Sequence, residues 1–302
     1  MVIQRVTQNM ITSRSMVNLQ GSLSRLARTQ EQLSTGRVIN RPSDDPVGTS
    51  SAMRLRASLA QVAQHQRNAE DGAGWLQMVD TTLTGSTEIL RRAKELGIQG
   101  VNGFNGPQAM AALGQEVSRL RDALLSAANT TYLGRPIFGG VTTGTKAYDE
   151  AGNYVGASGP GVLRTVATGD RVRVDQEASA AFGPNTPGSP PTGDVFADLA
   201  RLADDLRAGN LSGIRDGLDA VDAGLARMTA ALADVGTRAN RLDRAIQSAK
   251  DSTLTETRSL TEVENVDLAA ATVELKMQEV AYQAALGATS RVIQPSLLDF
   301  LR

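Results

Sequence analysis

The feature that most constrains the fold is a long apolar seam in the C-terminal half of the chain. Over residues 211–249, apolar or small residues recur at alternating steps of three and four. That spacing places them on one side of an α-helix and is typical of a coiled coil. Residues 16–26 and 55–62 carry shorter seams of the same kind. Such helices bury little apolar surface alone, so we expect them to pack against one another or against further copies of the chain.

Turn residues divide the N-terminal half into three predicted helices. The first covers residues 3–33, and Gly36 is its expected C-cap. The second begins at Pro46 and is predicted to run to Leu96. Glycines between residues 97 and 106 then interrupt the periodicity, so we predict a break there, before Pro107 opens a third helix.

The middle of the chain has a different character. Glycine and proline become frequent from about residue 133 to 193, and residues 171–174 alternate polar and apolar side chains as a strand does. Residues 148–154 are predicted to form a hairpin loop. Residues 183–193 hold four of the ten prolines and are predicted to be a linker. Helices are predicted again from Asp194, along the long seam to Val263, and over an alanine-rich segment from Asp267.

These segments predict a mainly α protein with a β-rich insert. We expect an antiparallel coiled-coil rod of long helices, with both termini at one end and a small β domain at the other. The predicted divisions are an N-terminal helical tail (1–44), outgoing rod helices (45–133), the β-rich variable domain with its linker (134–193), returning rod helices (194–264) and a C-terminal helical tail (265–302). Opposite net charges, +4 for residues 1–40 and −3 for residues 256–302, favour association of the two tails.

Composition excludes several classes of function. Lys and Arg total 31 against 32 Asp and Glu, and only 3% of residues are aromatic, so we expect no nucleic-acid binding. The chain has no cysteine and one histidine, His65, which excludes disulfides, thiol catalysis and multi-histidine metal sites. We expect no cofactor. No apolar run is long enough to span a membrane, and the first residues lack a signal-peptide pattern, so we expect no membrane insertion.

The most specific signal lies between the first two helices. Residues 33–48, LSTGRVINRPSDDPVG, closely resemble the N-terminal signature of the bacterial flagellins and their relatives. Residues 267–272, DLAAAT, together with residues 278–286, resemble the C-terminal helix of the same family. The resemblance covers roughly residues 1–140 and 195–302, and the β-rich middle is the variable part of that family.

Two branches of the family differ in the RPSDDP motif of residues 41–46. Filament flagellins more often have a small residue in place of Arg-Pro, so the motif is closer to the hook-associated proteins of the hook–filament junction. The ending of the chain, SLLDFL at residues 296–301, is also similar to that branch. The resemblance implies a structural, non-enzymatic subunit of the bacterial flagellum, secreted to the extracellular organelle by type III export without a cleaved signal peptide. The implied partners are other copies of the chain in a ring or layer, the adjoining hook-associated protein, flagellin and an export chaperone.

Two groups of residues are the expected working parts. The joint between tail and rod is predicted to consist of Arg41, Pro42, Ser43, Asp44, Asp45 and Pro46. Apolar and aromatic residues of the two tails are predicted to pack in the inner layer of the assembly: Leu19, Leu23, Leu26, Leu33, Leu275, Tyr282, Leu286, Ile293, Leu297, Leu298, Phe300 and Leu301.

Other interpretations remain open on the sequence. Asp44 and Asp45 would suit acid–base chemistry, but an Asp-Pro helix start favours a cap within a packed link. Trp75 and His65 are interpreted as a core residue and a helix-surface residue, respectively. Filament flagellin is the close alternative function. A coiled-coil signalling or adhesion module is the alternative of another class, and an enzyme using carboxylates of the insert is the weakest.

Overall fold

The computed structural model describes residues 2–102, 106–157, 159–184 and 193–293. Two compact units are present: unit 2 comprises Gln61–Ser252, and unit 1 comprises the described residues on either side of it. The helices are α1 (Val2–Thr35), α2 (Pro46–Asn102), α3 (Pro107–Ala128), α4 (Ala178–Phe182), α5 (Val195–Ala208), α6 (Leu211–Glu264) and α7 (Leu268–Ile293). The strands are β1 (Thr131–Tyr132), β2 (Arg135–Pro136), β3 (Leu163–Ala167) and β4 (Asp170–Arg173).

Within unit 2, α2 and α6 pack antiparallel through matching heptads. On α6 the fully buried residues are seven apart: Ile214, Val221, Met228, Val235 and Leu242. The facing residues of α2 keep the same spacing: Ala69, Leu76, Leu83 and Leu90. Between these positions each helix buries a second residue at a step of three, such as Val79 and Ala93 on α2 and Ala231 on α6, and two buried residues per heptad are the a/d pattern of a coiled-coil seam. The coiled-coil pairing of long antiparallel helices predicted from the sequence is therefore confirmed.

Within unit 2, an aromatic cluster and two arginines hold the β-rich insert to the helices. The rings of Phe138 and Phe182 meet edge to face with centroids 4.9 Å apart, and Tyr148 lies 4.9 Å from Phe196 at the start of α5. All four rings are buried. Because aromatic side chains bury large apolar areas, this cluster is the main attachment of the insert. Arg164 pairs with Asp71 of α2 at 2.6 Å, and Arg121 of α3 donates to the carbonyl of Ala151 at 2.6 Å.

Two short strand pairs form the sheet of this part of the chain. β1 pairs with β2 and β3 with β4, each pair forming an antiparallel two-stranded hairpin. The predicted hairpin at residues 148–154 is confirmed by an antiparallel bridge between Tyr148 and Tyr154. The short helix α4 was not predicted. The core of the predicted linker, residues 185–192, lies outside the described residues.

A break between α2 and α3 lies within the predicted range, but the predicted end of α2 at Leu96 is wrong. Helix α2 continues through Gly97 and Gly100 to Asn102. A Cβ at Gly97 would lie 2.7 Å from a methyl carbon of Leu218 on α6, and one at Gly100 would collide with Leu206 on α5. Glycine therefore stands at these positions because neighbouring helices approach closely, and the cost of glycine within a helix is offset by that packing.

In unit 1, α1 and α7 lie antiparallel and extend from the link regions. The Thr29 hydroxyl, near the end of α1, is 3.3 Å from the side-chain oxygen of Gln278 within α7. Gly36 follows α1 with φ of 70°, which confirms its role as a left-handed C-cap. Asp267 opens α7, since its carboxylate accepts the amides of Ala269 and Ala270. Within the described parts of the chain, no helix is both long and apolar enough to cross a membrane.

Candidate assembly surfaces

The predicted joint is a tight turn held by two aspartates. Asp45 precedes α2, and its carboxylate accepts the amides of Val47 at 3.0 Å and Gly48 at 2.9 Å. Those amides have no partner inside the helix, so this is an N-cap. Asp44 accepts the amide of Arg41 at 2.8 Å and thereby closes the turn on itself. Both carboxylates are thus engaged by backbone amides, as expected of a capped link rather than an acid–base pair.

The remaining joint residues are presented to solvent. Arg41, Pro42, Ser43 and Pro46 are all exposed, as are the two aspartates. Arg41 reaches back to Glu31 of α1 at 3.2 Å, which connects the turn to the preceding helix. An exposed ion pair of this kind adds at most about 1 kcal/mol. The joint is therefore shaped mainly by the aspartates and prolines, and no described residue covers its outer surface.

The link between α1 and α2 is paired with the link between α6 and α7. The Val38 amide donates to the carbonyl of Glu264 at 2.8 Å, and the Val266 amide donates to the carbonyl of Gly36 at 3.0 Å. These bonds form an antiparallel bridge between Arg37 and Asn265. Sequence reasoning missed this pairing because it joins segments more than 200 residues apart, and neither segment has a strand pattern.

The predicted terminal packing residues on α1 and α7 bury only part of their apolar surface against each other. Five of them are half-buried between the helices: Leu19, Leu26, Leu33, Leu275 and Tyr282. Leu23 and Leu286 remain exposed. Ile293 ends α7, and its side chain lies outside the described set, as do Leu297, Leu298, Phe300 and Leu301.

Unit 1 leaves a large amount of apolar surface uncovered. Among its described side chains, the only buried apolar ones are Ala52 and Ala271. Larger apolar side chains on the same helices are open to solvent, including Val17 and Val280, which are 66% and 65% exposed. Contiguous exposed apolar surface marks an interaction site in a water-soluble protein. The described parts of the tails thus present apolar side chains that no other described residue of the chain covers.

Two buried aspartates of unit 2 stabilise helix α5. Asp194 caps α5 by accepting the amide of Ala197 at 2.7 Å. Burial raises the pKa of Asp198, whose carboxylate is bound by Arg201 at 2.6 Å.

Trp75 is a core residue, as predicted, and His65 is half-buried on α2. Within the residues that the structure describes, no three His, Cys, Asp or Glu side chains come together as a metal site.

Comparison with known proteins identifies the family. The N-terminal helical region of bacterial flagellin matches residues 6–143, and the C-terminal helical region of bacterial flagellin matches residues 218–301. Together the two regions cover well over half of the chain, in the order expected for the family. The chain belongs to the bacterial flagellin family. The joint lies within the first matched region, and most of α6 and all of α7 lie within the second.

Relatives from two branches of the flagellin family match to different extents. The chain is 27% identical to flagellar hook-associated protein 3 of Escherichia coli (strain K12) over 301 aligned positions, which span 93% of this chain and 94% of the relative. It is 32% identical to flagellin A of Vibrio cholerae serotype O1, over 62% of this chain and 50% of the flagellin. The chain therefore matches the hook-associated protein from end to end and the flagellin over half its length.

Solved structures of hook-associated proteins share the fold. A flagellar hook-associated protein from Vibrio parahaemolyticus aligns over 74% of this chain and all of its own, with a TM-score of 0.66 and 22% identity. The flagellar junction protein of Legionella pneumophila aligns over 71% of this chain and 99% of its own, with a TM-score of 0.58 and 15% identity. At these identities the likeness establishes the fold, which agrees with the predicted mainly helical architecture and small β-rich insert.

Proposed function

We propose that this flagellin-family chain is the structural subunit of the hook–filament junction. The observation that carries the proposal is the end-to-end match with a hook-associated protein 3, at 93% of this chain and 94% of the relative. A filament flagellin is the alternative, and the alignment with flagellin A supports it less, because that alignment spans only 50% of the flagellin.

The uncovered helices of unit 1 support an assembly role. A subunit that works within a layer of identical subunits needs surfaces that its neighbours complete, and the tails provide apolar faces of this kind. We propose that residues 1–44 and 265–302 form the inner part of such a layer, with the terminal packing residues at their contacts. The turn of residues 41–46 then sets the direction in which the tail leaves α2.

A position between the hook and the filament determines the proposed partners. One face of the layer contacts the adjoining hook-associated protein, the other accepts flagellin, and each subunit contacts further copies of itself. Before assembly, the exposed tails need protection from aggregation, which is the role we assign to an export chaperone. The subunit is then secreted by the flagellar type III route to the extracellular flagellum.

Deletion of the gene tests the junction role. A cell without a junction subunit should build hooks but no attached filaments, and it should shed flagellin into the medium. Restoring the intact gene from a plasmid should return the filaments. Attached filaments of normal length in the deletion strain would contradict the junction role and leave a minor flagellin as the better interpretation.

A further inference from the structure

A cavity of about 520 Å³ lies between the β3–β4 hairpin and the two long helices of unit 2. Val166, Thr168 and Asp170 of the hairpin line one side, and residues of α2 and α6 line the other. All of the lining residues belong to unit 2, whereas the joint and the tails belong to unit 1. Small-molecule sites in proteins have volumes of roughly 300–1,000 Å³, so this cavity has the size of a ligand site.

Two polar contacts fix the tip of the hairpin over the helices. The side-chain amide of Gln61 on α2 donates to the Thr168 hydroxyl at 3.1 Å, and Arg241 of α6 forms an ion pair with Asp170. The charge of Arg241 is thereby neutralised within the chain. Because these contacts hold both walls in place, a ligand that enters the cavity orders little of the protein.

Part of the cavity wall is apolar. Val62 of α2, Val166 of β3, and Ala245 and Ala249 of α6 all line it. Val166 and Ala249 are buried, and the other two residues are half-buried. Burial of a hydrocarbon group against such side chains is favourable, because it removes apolar surface from water. This wall therefore suits the apolar part of a ligand.

Arg244 supplies an unbalanced positive charge at the solvent-exposed rim of the cavity. Its side chain is exposed, and it forms no ion pair with any residue that the structure describes. Its Nε donates to the carbonyl of Asn240 at 3.2 Å. Ser248 and Ser252 follow at steps of four on α6, so the two hydroxyl groups share a helix face with the guanidinium and line the same cavity. This group of donors favours an anion.

His65 adds another hydrogen-bond donor to the cavity wall. The side-chain nitrogen of Gln61 lies 3.4 Å from its Nε2, and an amide nitrogen can only donate, so Nε2 is the acceptor. The neutral imidazole then carries its proton on Nδ1, which is buried and has no hydrogen-bond partner among the described residues. A buried donor without an acceptor costs free energy, so an acceptor at this wall is favoured.

We propose that this cavity binds a small monocarboxylate with an apolar body. The carboxylate accepts two parallel hydrogen bonds from the guanidinium of Arg244, and the hydrocarbon part lies against the apolar wall. One unbalanced positive charge matches the single charge of a carboxylate. The second charge of a phosphate would be uncompensated and would lie near Asp170.

Titration calorimetry of the full-length chain tests the chemical class of the ligand. Octanoate and phenylacetate are the probes, and octanamide and phenylacetamide are the neutral controls of matched shape. At least one acid should bind once per chain, and its amide should bind about tenfold more weakly or worse, because charge-assisted hydrogen bonds are the stronger ones. Equal affinity for an acid and its amide, or no binding of either acid at about 1 mM, would overturn the proposal.

Variants of α6 test the location of the site. Arg244→Gln should weaken binding of the acid by about tenfold or more. Arg215→Gln, at another exposed arginine of α6 that does not line the cavity, is the control and should bind as wild type does. Ala245→Phe places a ring in the cavity and should abolish binding, and its melting temperature shows that the fold is retained. Wild-type affinity in Arg244→Gln, or in folded Ala245→Phe, would contradict the assignment.

Discussion

The carboxylate of Glu264, the last residue of α6, lies 2.8 Å from a guanidinium nitrogen of Arg56 on α2. The Glu264 side chain is almost fully buried, whereas Arg56 is half exposed. The backbone carbonyl of the same glutamate accepts the Val38 amide from the α1–α2 link. One residue therefore connects two long helices and the link that leads to the tail.

Substitutions of Arg56 and of Glu264 should lower the free energy of unfolding by different amounts. Arg56→Met leaves the buried carboxylate of Glu264 without its cation and should lower the free energy of unfolding by about 1–3 kcal/mol. Glu264→Gln keeps a hydrogen-bonding group and leaves only a solvated arginine, so it should cost less. Urea unfolding of both variants measures the difference. Equal losses, or a larger loss for Glu264→Gln, would show that the buried carboxylate does not depend on Arg56.

The two aspartates of the joint should matter more for assembly than for folding. Asp45→Ala removes the N-cap of α2 and should cost about 1 kcal/mol, measured by thermal unfolding. The double variant with Asp44→Ala also opens the turn, so it should weaken filament attachment under shear more than it weakens the fold. Asp243→Ala, at an exposed position of α6, is the control. Filament retention in the double variant equal to that of the control would argue against the joint.

Alanine substitutions at Gly97 and Gly85, both on α2, test whether Gly97 is required for helix packing. Gly97→Ala places a methyl group 2.7 Å from Leu218 and should destabilise unit 2 by about 1–3 kcal/mol. At Gly85 a Cβ meets nothing within 4 Å. Gly85→Ala should therefore stabilise the protein by up to about 1 kcal/mol, because alanine favours the helix. Urea unfolding measures the change in the free energy of unfolding for each variant. If both variants were stabilised, an alanine methyl group would fit between α2 and α6 at Gly97, contrary to this prediction.

Limited proteolysis should distinguish the two units of the purified chain. The core of unit 2 is continuous and includes α2, α6 and the aromatic cluster, whereas the described tails bury almost no large apolar side chain. Because local stability follows buried contacts, protease should trim both ends first and leave a resistant fragment of roughly residues 45–260. Mass spectrometry of the fragments identifies the cut sites. Full-length chain that resists at both ends would contradict this expectation.

Periodicity made the long helices predictable. The seam from Ile214 to Leu242 is a strict repeat, and its burial in the structure follows directly from the spacing. The caps at Gly36 and Asp45 were also predicted, since each depends on residues within one helical turn. Local chemistry of this kind can be read without knowledge of the rest of the chain.

Features that depend on distant residues could not be predicted. Gly97 resembles a helix breaker in the sequence, and only the position of Leu218 on another helix reveals it as a packing residue. The pairing of Val38 with Glu264 and the ion pair with Arg56 likewise join segments that no local pattern connects. The left-handed backbone of Leu133, with φ of 48°, depends likewise on the turn between β1 and β2.

Localisation in the intact flagellum tests the central claim most directly. Antibodies against unit 2, detected with gold particles by electron microscopy, should label a single narrow band where the filament meets the hook. A strain that lacks the gene provides the background labelling. Gold along the whole length of the filament would contradict the junction role and identify the chain as a filament flagellin.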